Sequence, residues 1–214
     1  MNTIDSANNF AKNYDEYVTK RQWVGTDILF DLMDEFLKPG QTLLDIGIGT
    51  GLSSIPFKKY GLSVFGIDGA VEMLIICRKK GISNHLSLTD FTKEYLCFEN
   101  KLFNHAISHG VFHLIGDLKH IFKHVSLRQK EKACFGFTFQ NITNLPNDFI
   151  ESPIQGVFEK KNPSSGIKTF RHSDEHIMGL LVEHDYKIMK ITEFLAFVDD
   201  NTKTYFNAIV TMKK

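Results

Sequence analysis

Three glycines alternate with other residues in Gly47-Ile48-Gly49-Thr50-Gly51, directly after Leu43-Leu44-Asp45-Ile46. Glycine lets a backbone turn sharply and lets a ligand approach it closely. A helix starting there aims its free N–H groups at whatever sits above the strand end. In an open α/β sheet that place is the ligand crevice. The dinucleotide fingerprint Gly-x-Gly-x-x-Gly does not fit, because its last position falls on Leu52 counted from Gly47 and on Ser54 counted from Gly49. The segment reads Asp-x-Gly-x-Gly-Thr-Gly, with the acid inside the strand. Asp45 is expected at the pocket rim, where a carboxylate orients the loop, accepts from an ammonium group and repels a pyrophosphate. This disfavours an NAD-dependent oxidoreductase and favours a cationic cofactor that carries an amino acid.

Further acids stand where a nucleoside would need them. Phe65-Gly66-Ile67-Asp68 ends a second apolar run, and a carboxylate at that strand tip can accept both hydroxyls of a ribose. Met73, one helical turn on, is placed to pack on an adenine face. Asp90-Phe91 offers an acceptor for an exocyclic amine and an aromatic edge. With LLDIGIGTG at 43–51, FGIDGAVEML at 65–74 and TDF at 89–91, the chain resembles the class I S-adenosylmethionine-dependent methyltransferases. GIDGAVEML, the following RKKG and then HLSL most resemble the small methyltransferase-like proteins of the Williams-Beuren-region type. The resemblance implies that Asp45, Gly47, Gly49 and Gly51 surround the methionine part, Asp68 the ribose, and Met73, Asp90 and Phe91 the adenine. Thr50, Gly69 and Ser108 complete that cofactor set. Related enzymes close an aromatic from the N-terminal helices over the cofactor, and Tyr14, Tyr17 and Trp23 occupy that region here. Helix packing is the competing reading for each, since aromatics dominate cores.

The acceptor side is sparser. Methyl transfer from a sulfonium is an in-line displacement, so positioning and sometimes a base are what the protein supplies. The fourth strand runs into Ser108-His109-Gly110-Val111-Phe112-His113. This run lacks the Asn/Asp-Pro-Pro-aromatic signature of amino-group methylation on bases and the Pro-Cys nucleophile of C5 methylation. It also lacks the acid cluster of metal-assisted catechol methylation. His109 and His113 are the candidate bases, because imidazole titrates near neutrality. His120/His124 and His172/His176 have helical spacing but no Glu completes a His-Glu-x-x-His pattern, so no metal is expected and these histidines are assigned to the surface. Residues 140–172 form a long substrate-side insertion, with a hairpin expected from 156–160 and 167–171. Together with the N-terminal helices at 1–38 it is expected to form a lid, in which Tyr17, Phe158, Phe170, Arg171 and His172 face the acceptor and Arg171 holds a carboxylate or phosphate.

The elements that must position these residues follow from periodicity. Residues 4–20 and 26–37 read as helices, the second stopped by Pro39-Gly40. Strands are expected at 42–46, 63–67, 85–88, 103–108, 133–139, 187–198 and 203–211. Helices are expected over 70–80, around 118–125, and after Ser173-Asp174-Glu175. Asp199 to Lys203 is too short for a parallel crossover, so the final strands must pair antiparallel. Pro56 is harmless if Ser53 or Ser54 caps the helix around it. Ser126–Lys132 stands where the family has Pro-Gly-Gly before the fifth strand. The expected fold is α/β, Rossmann-like and doubly wound. Its mostly parallel seven-stranded sheet ends on an antiparallel strand, with helices on both faces, in one domain over 1–214.

Composition bounds the rest. A formal net charge of zero from 25 Lys+Arg and 25 Asp+Glu leaves no basic stripe for a nucleic acid backbone, so a small-molecule partner is expected. The 19 phenylalanines read first as packing material. Cys77, Cys97 and Cys134 form no CxxC pair and read as reduced thiols. No signal pattern and no membrane-length apolar run stand in the sequence, so a cytoplasmic protein is expected, of undetermined oligomeric state. A non-catalytic cofactor-binding module acting through a protein partner is the alternative. It differs by having the acceptor space filled.

Overall fold

Neighbouring residues along the central strands point to opposite sides of one sheet, and each side carries its own core. Leu44, Ile46, Ala106 and Ile209 join Phe122, Val125, Ile177 and Leu181 on one face. Leu43, Val64, Ile107 and Val210 join Leu29, Met33, Phe57 and Leu74 on the other. The structure, a computed structural model, describes residues 2–21, 23–94, 97–98, 101–199 and 202–214. The central strands are β1 (Thr42–Ile46), β2 (Ser63–Asp68), β3 (His85–Leu88), β4 (Phe103–Ser108) and β5 (Gln129–Phe139). β9 (Tyr186–Asp199) and β10 (Thr202–Lys213) complete the sheet. Its order is β3-β2-β1-β4-β5-β10-β9, with β1 to β5 parallel and β10 antiparallel to both neighbours. Within the link expected at Asp199 to Lys203, Asp200 and Asn201 lie outside the described residues.

The helices are α1 (Thr3–Lys20), α2 (Ile28–Met33), α3 (Ile55–Tyr60), α4 (Val71–Lys79), α5 (Lys119–Arg128) and α6 (Asp174–Glu183). Asn2 and Asp5 form a capping box that starts α1, and Ser173 caps α6. The helix expected over 26–37 is broken into α2 flanked by 3-10 turns at Val24–Thr26 and Asp34–Phe36. Asp34 takes the N–H of Glu35 on its own carboxylate at 2.7 Å, the local competition that ends helices at Asp. Pro56 lies in the first turn of α3, as a harmless proline should. Ser54 sits at the cap position, yet its hydroxyl is used elsewhere.

β5 starts at the end of α5, earlier than periodicity places it. Buried Gln129 anchors that start: it accepts from Tyr186 and donates to the Cys134 carbonyl at 2.8 Å. This takes the place of the Pro-Gly-Gly turn. Phe112, Phe122, Phe135 and Phe137 pack with ring centroids 5.0 to 6.4 Å apart, which accounts for part of the phenylalanine excess as core. A separate antiparallel sheet follows β5, made of β6 (Ile150–Glu151), β7 (Val157–Lys161) and β8 (Lys168–His172). The hairpin is one residue later than the sequence indicates. Asn162 closes its turn by accepting from Ser164 and Ser165 N–H, both at 2.9 Å.

Candidate active site

The strand order reverses at β1, whose neighbours β2 and β4 carry the chain away on either side, and the crevice opens above its C-terminal end. There Gly47, Gly49 and Gly51 hold φ of +75°, +54° and +88°, a backbone that other residues rarely adopt. Asp68 at the tip of β2 organises this loop from below. Its Oδ2 accepts from Gly49 N–H and its Oδ1 from Ala70 N–H, each at 2.8 Å. Burial raises its pKa while these backbone bonds pull the other way. Asp45 is not at the rim. It lies on the cavity floor, 2% exposed, where Ser54 Oγ donates to it at 2.6 Å. Burial raises its pKa to about 7 against that hydrogen bond. The α3 cap hydroxyl is thus diverted to a buried carboxylate.

Helix α1 lies across the loop. Its face at Thr3, Ala7, Phe10 and Tyr14 lines a cavity of about 1080 Å³ together with Asp45, Gly47, Gly49, Asp68 and Met73. Asp15 clamps the helix down. It accepts from Thr50 Oγ1 at 2.6 Å and pairs with Lys80 at 2.6 Å. Further back, Asn8 accepts from Glu72 N–H at 3.0 Å and Ala11 packs on Ala70 and Met73. Burial, then Asp15 and Asp68, raise the Tyr14 pKa to about 12, so its phenol stays protonated as a donor. Asp90 and Phe91 form the next wall. Partial burial would raise the Asp90 pKa, but Thr92 and Lys93 bind the carboxylate and hold it low.

The cavity continues past the loop to His109, Val111, Leu114 and Ile115, and then beneath Lys161, Ile167, Lys168 and Phe170 of the hairpin. His109 Nδ1 is 2.9 Å from Ser53 Oγ, which also lines the cavity. Burial, and then His113, lower the His109 pKa to about 4, so the ring is neutral near pH 7. Its Nε2 faces Trp23: a Cβ added to Gly25 would lie 2.9 Å from it and 2.7 Å from Trp23 Nε1. His109 Nε2 and Trp23 Nε1 are both buried and have no hydrogen-bond partner among the described residues.

Residues 44–128 match the family described as "Methyltransferase domain". The chain is 24% identical over 211 residues to the malonyl-[acyl-carrier protein] O-methyltransferase of Priestia megaterium, covering 94% of this chain and 77% of that protein. It is 29% identical to an uncharacterised protein of Methanocaldococcus jannaschii, covering 70% of this chain and 56% of that one. An S-adenosylmethionine-dependent methyltransferase of Methanosarcina mazei superposes with a TM-score of 0.71 at 18% identity, covering 85% of this chain and 96% of that one. The magnesium protoporphyrin IX methyltransferase of Synechocystis, solved with S-adenosylmethionine bound, superposes at 0.64 with 15% identity over 92% of this chain and 84% of that one.

The chain is an S-adenosylmethionine-dependent methyltransferase. It has the class I, Rossmann-like fold, with the single antiparallel strand β10. The residues present fit its cofactor. Carboxylates crowd the loop end, and a Cβ on Gly49 would project into space with nothing within 4 Å, the cradle a ligand needs.

The structure redistributes several residues that the methyltransferase sequence singles out. Thr50, Gly69, Met73, Asp90, Phe91, Tyr14, His109 and Phe170 line the cavity. Gly51 is buried below the loop, where a Cβ would meet Cys77 and Ile82. Ser108 is fully buried and ties β4 to β1 by donating to the Ile46 carbonyl at 2.9 Å. Tyr17 packs on Phe10 and Arg21 one turn beyond the lining face, and Trp23 stacks on Phe197. His113 packs against Phe206, behind the wall. Phe158 is half-buried away from the cavity, on the strand face opposite to the lining. Arg171 donates to the Asn141 carbonyl at 3.2 Å and lies over Phe149. His172 is buried with Nε2 on the Phe112 carbonyl at 3.1 Å. His124 is buried as well, since it shares the inner face of α5 with Ile121. Sequence reasoning missed Ile4, Phe10, Ser53, Lys161 and Lys168. The 3-7-10-14 spacing on α1 was the available signal for Phe10; Ser53 had none. Among the described residues, no group of three or more His, Cys, Asp or Glu is placed to hold a metal, and no helix is long and apolar enough to cross a membrane.

Proposed function

We propose that this methyltransferase acts on a small molecule held in the cavity between the glycine loop, α1 and the β7–β8 hairpin. The observation that carries the reading is the continuity of that cavity, from Asp68 past His109 to Phe170, in a volume of about 1080 Å³. Pockets for drug-sized ligands run to about 1,000 Å³, so the cofactor and a modest acceptor together fit. Open space beside His109 favours an enzyme over a binding module, whose acceptor side would be filled. Zero net charge favours a small molecule over a nucleic acid. The GIDGAVEML segment supports kinship with the small Williams-Beuren-type methyltransferases, and the composition supports a cytoplasmic protein.

S-adenosylmethionine supplies an electrophilic methyl group on a sulfonium. Asp45, Gly47 and Gly49 would hold its amino-acid part, Asp68 its ribose, and Met73, Asp90 and Phe91 its adenine. Three buried or half-buried carboxylates at this end favour a cation and disfavour a diphosphate. Tyr14 and Phe10 exclude water above the loop. At the acceptor end Ser53 Oγ takes the proton of the nucleophile as its own hydrogen passes to His109 Nδ1, leaving an imidazolium. Trp23 and Gly25 pack behind His109 and keep its ring in place.

The test is incubation with methyl-labelled S-adenosylmethionine and a cell extract separated into small-molecule, protein and nucleic acid fractions. Label is expected among the small molecules and is expected to vanish with Asp68→Ala. Label confined to protein or nucleic acid would refute the acceptor class.

A further inference from the structure

Lys161 and Lys168 stand directly opposite each other at the turn end of the β7–β8 ladder, and both line the cavity. Like charges so opposed on an antiparallel pair repel, so this arrangement works against the hairpin unless something offsets it. One carboxylate does so in part: Glu159 Oε1 lies 2.7 Å from Lys168 Nζ. Lys161 has no ion pair among the described residues, while its neighbour Lys160 has Asp148 at 2.5 Å. Lys168 is thus held by a carboxylate, and Lys161 is the lysine at the hairpin tip that has none within ion-pair distance among the described residues. Lys93, the other lysine on the cavity wall, is paired with Asp90 at 3.1 Å.

The space in front of Lys161 is mostly apolar. Leu114, Ile115, Ile167 and Phe170 line it, and Phe10 faces it from α1. Arg171, the cation that the sequence points to for an acid, is turned onto the Asn141 carbonyl and the Phe149 ring. Asp117 also faces this end, with one oxygen accepting the Lys119 N–H at 2.9 Å. The opposite end of the cavity holds Asp45, Asp68 and Asp90, which repel an anion.

We propose that the methyl acceptor is an apolar molecule with one carboxylate, anchored by Lys161 and Lys168 at the hairpin tip so that its other end faces the methyl group. This rests on the reading of the cavity as an acceptor site. One lysine without an ion pair, with Glu159 and Asp117 near by, matches a monoanion better than a phosphate dianion. Lys161 sets the preference; Lys168, shared with Glu159, supports it.

Calorimetry on the intact protein saturated with S-adenosylhomocysteine tests this with decanoate, decanol, decylamine and decyl phosphate. Decanoate is expected to bind about tenfold or more tightly than decanol and decylamine. Lys161→Ala should abolish the preference and Lys161→Arg should keep it. Lys161 is exposed and repelled by its neighbour, so neither substitution should lower the melting temperature. Equal binding of the probes, no binding of any, tighter binding of decylamine or decyl phosphate, or a preference that survives Lys161→Ala would each overturn the proposal. Saturation by S-adenosylhomocysteine is measured first in the same cell. Its failure would instead count against the cofactor site.

Discussion

Asp15 gives the most direct handle on how the cofactor end opens and closes. The cavity face of α1 lies beside the glycine loop, and Asp15 joins that helix to the loop and to the end of α4 at once. The hydrogen bond from Thr50 Oγ1 to a charged oxygen, 2.6 Å long, contributes about 1.5–3 kcal/mol. The Lys80 pair is partly exposed, at 26% and 39%, so screening limits it to about 0.2–1 kcal/mol. The hydroxyl bond dominates. Losing it raises the open population of α1 by roughly tenfold to a hundredfold, at tenfold per 1.4 kcal/mol.

The clamp joins protein groups to each other, so its loss should speed exchange in both directions. In a stopped-flow chase Asp15→Ala is expected to release S-adenosylhomocysteine roughly tenfold to a hundredfold faster. Association should quicken too, and Kd should change less than either rate. Thr50→Val should act alike, and the double variant should add little, because both remove the same bond. Asp15→Asn, which still accepts from Thr50, should show a smaller effect. An unchanged release rate in Asp15→Ala, or additive effects with Thr50→Val, would refute the clamp.

Three further outcomes follow from the site. His105, His109, His113 and His172 are each lowered to about 4, mainly by burial, against an ordinary 6.5, so the folded protein binds fewer protons than the unfolded chain between those values. Their stabilisation is therefore present above pH 6.5 and lost as pH falls toward 4, by up to about 1.4 kcal/mol per pH unit for each histidine. Asp45, raised to about 7, works in the opposite sense. Urea unfolding from pH 7 to pH 5 should show falling stability, made steeper by Asp45→Asn; a flat profile would contradict it. Ser53→Ala or His109→Asn should lower kcat by about 10²–10⁴ while calorimetry finds S-adenosylhomocysteine binding unchanged; equal kcat would remove the proton relay. Deleting residues 155–171 should abolish turnover and leave cofactor binding measurable, and turnover that persists would rule out the hairpin as a lid.

The sheet was legible because its evidence is local. LLDI running into alternating glycines and the short link after Asp199 place β1 and the antiparallel end without any tertiary information. The helix over 26–37 failed for a local reason of the opposite kind, as the Asp34 side chain competes for the backbone. Site residues divided by the distance over which they are fixed. Asp68 and the glycines share one strand-helix-strand unit, so spacing located them. Tyr14 stood out by residue type, as a ring that can close over a cofactor, whereas Phe10 shows only through the 3-7-10-14 face that the helix presents.

The acceptor end shows why residue type alone misleads there. Arg171 and Lys161 lie on facing strands of one hairpin, and the guanidinium is the better fork for an acid. Which of them meets the cavity is decided by strand pleat and by what each side chain already touches. Arg171 pairs with Phe158 across the ladder, away from the lining, and its planar head finds a carbonyl and an aromatic ring. Lys161 and Lys168 share the other register position, at the tip, where the cavity passes beneath them. One position along a strand reverses the face. The chemistry of that end thus depends on hairpin register, a non-local quantity that the sequence of either strand alone does not contain.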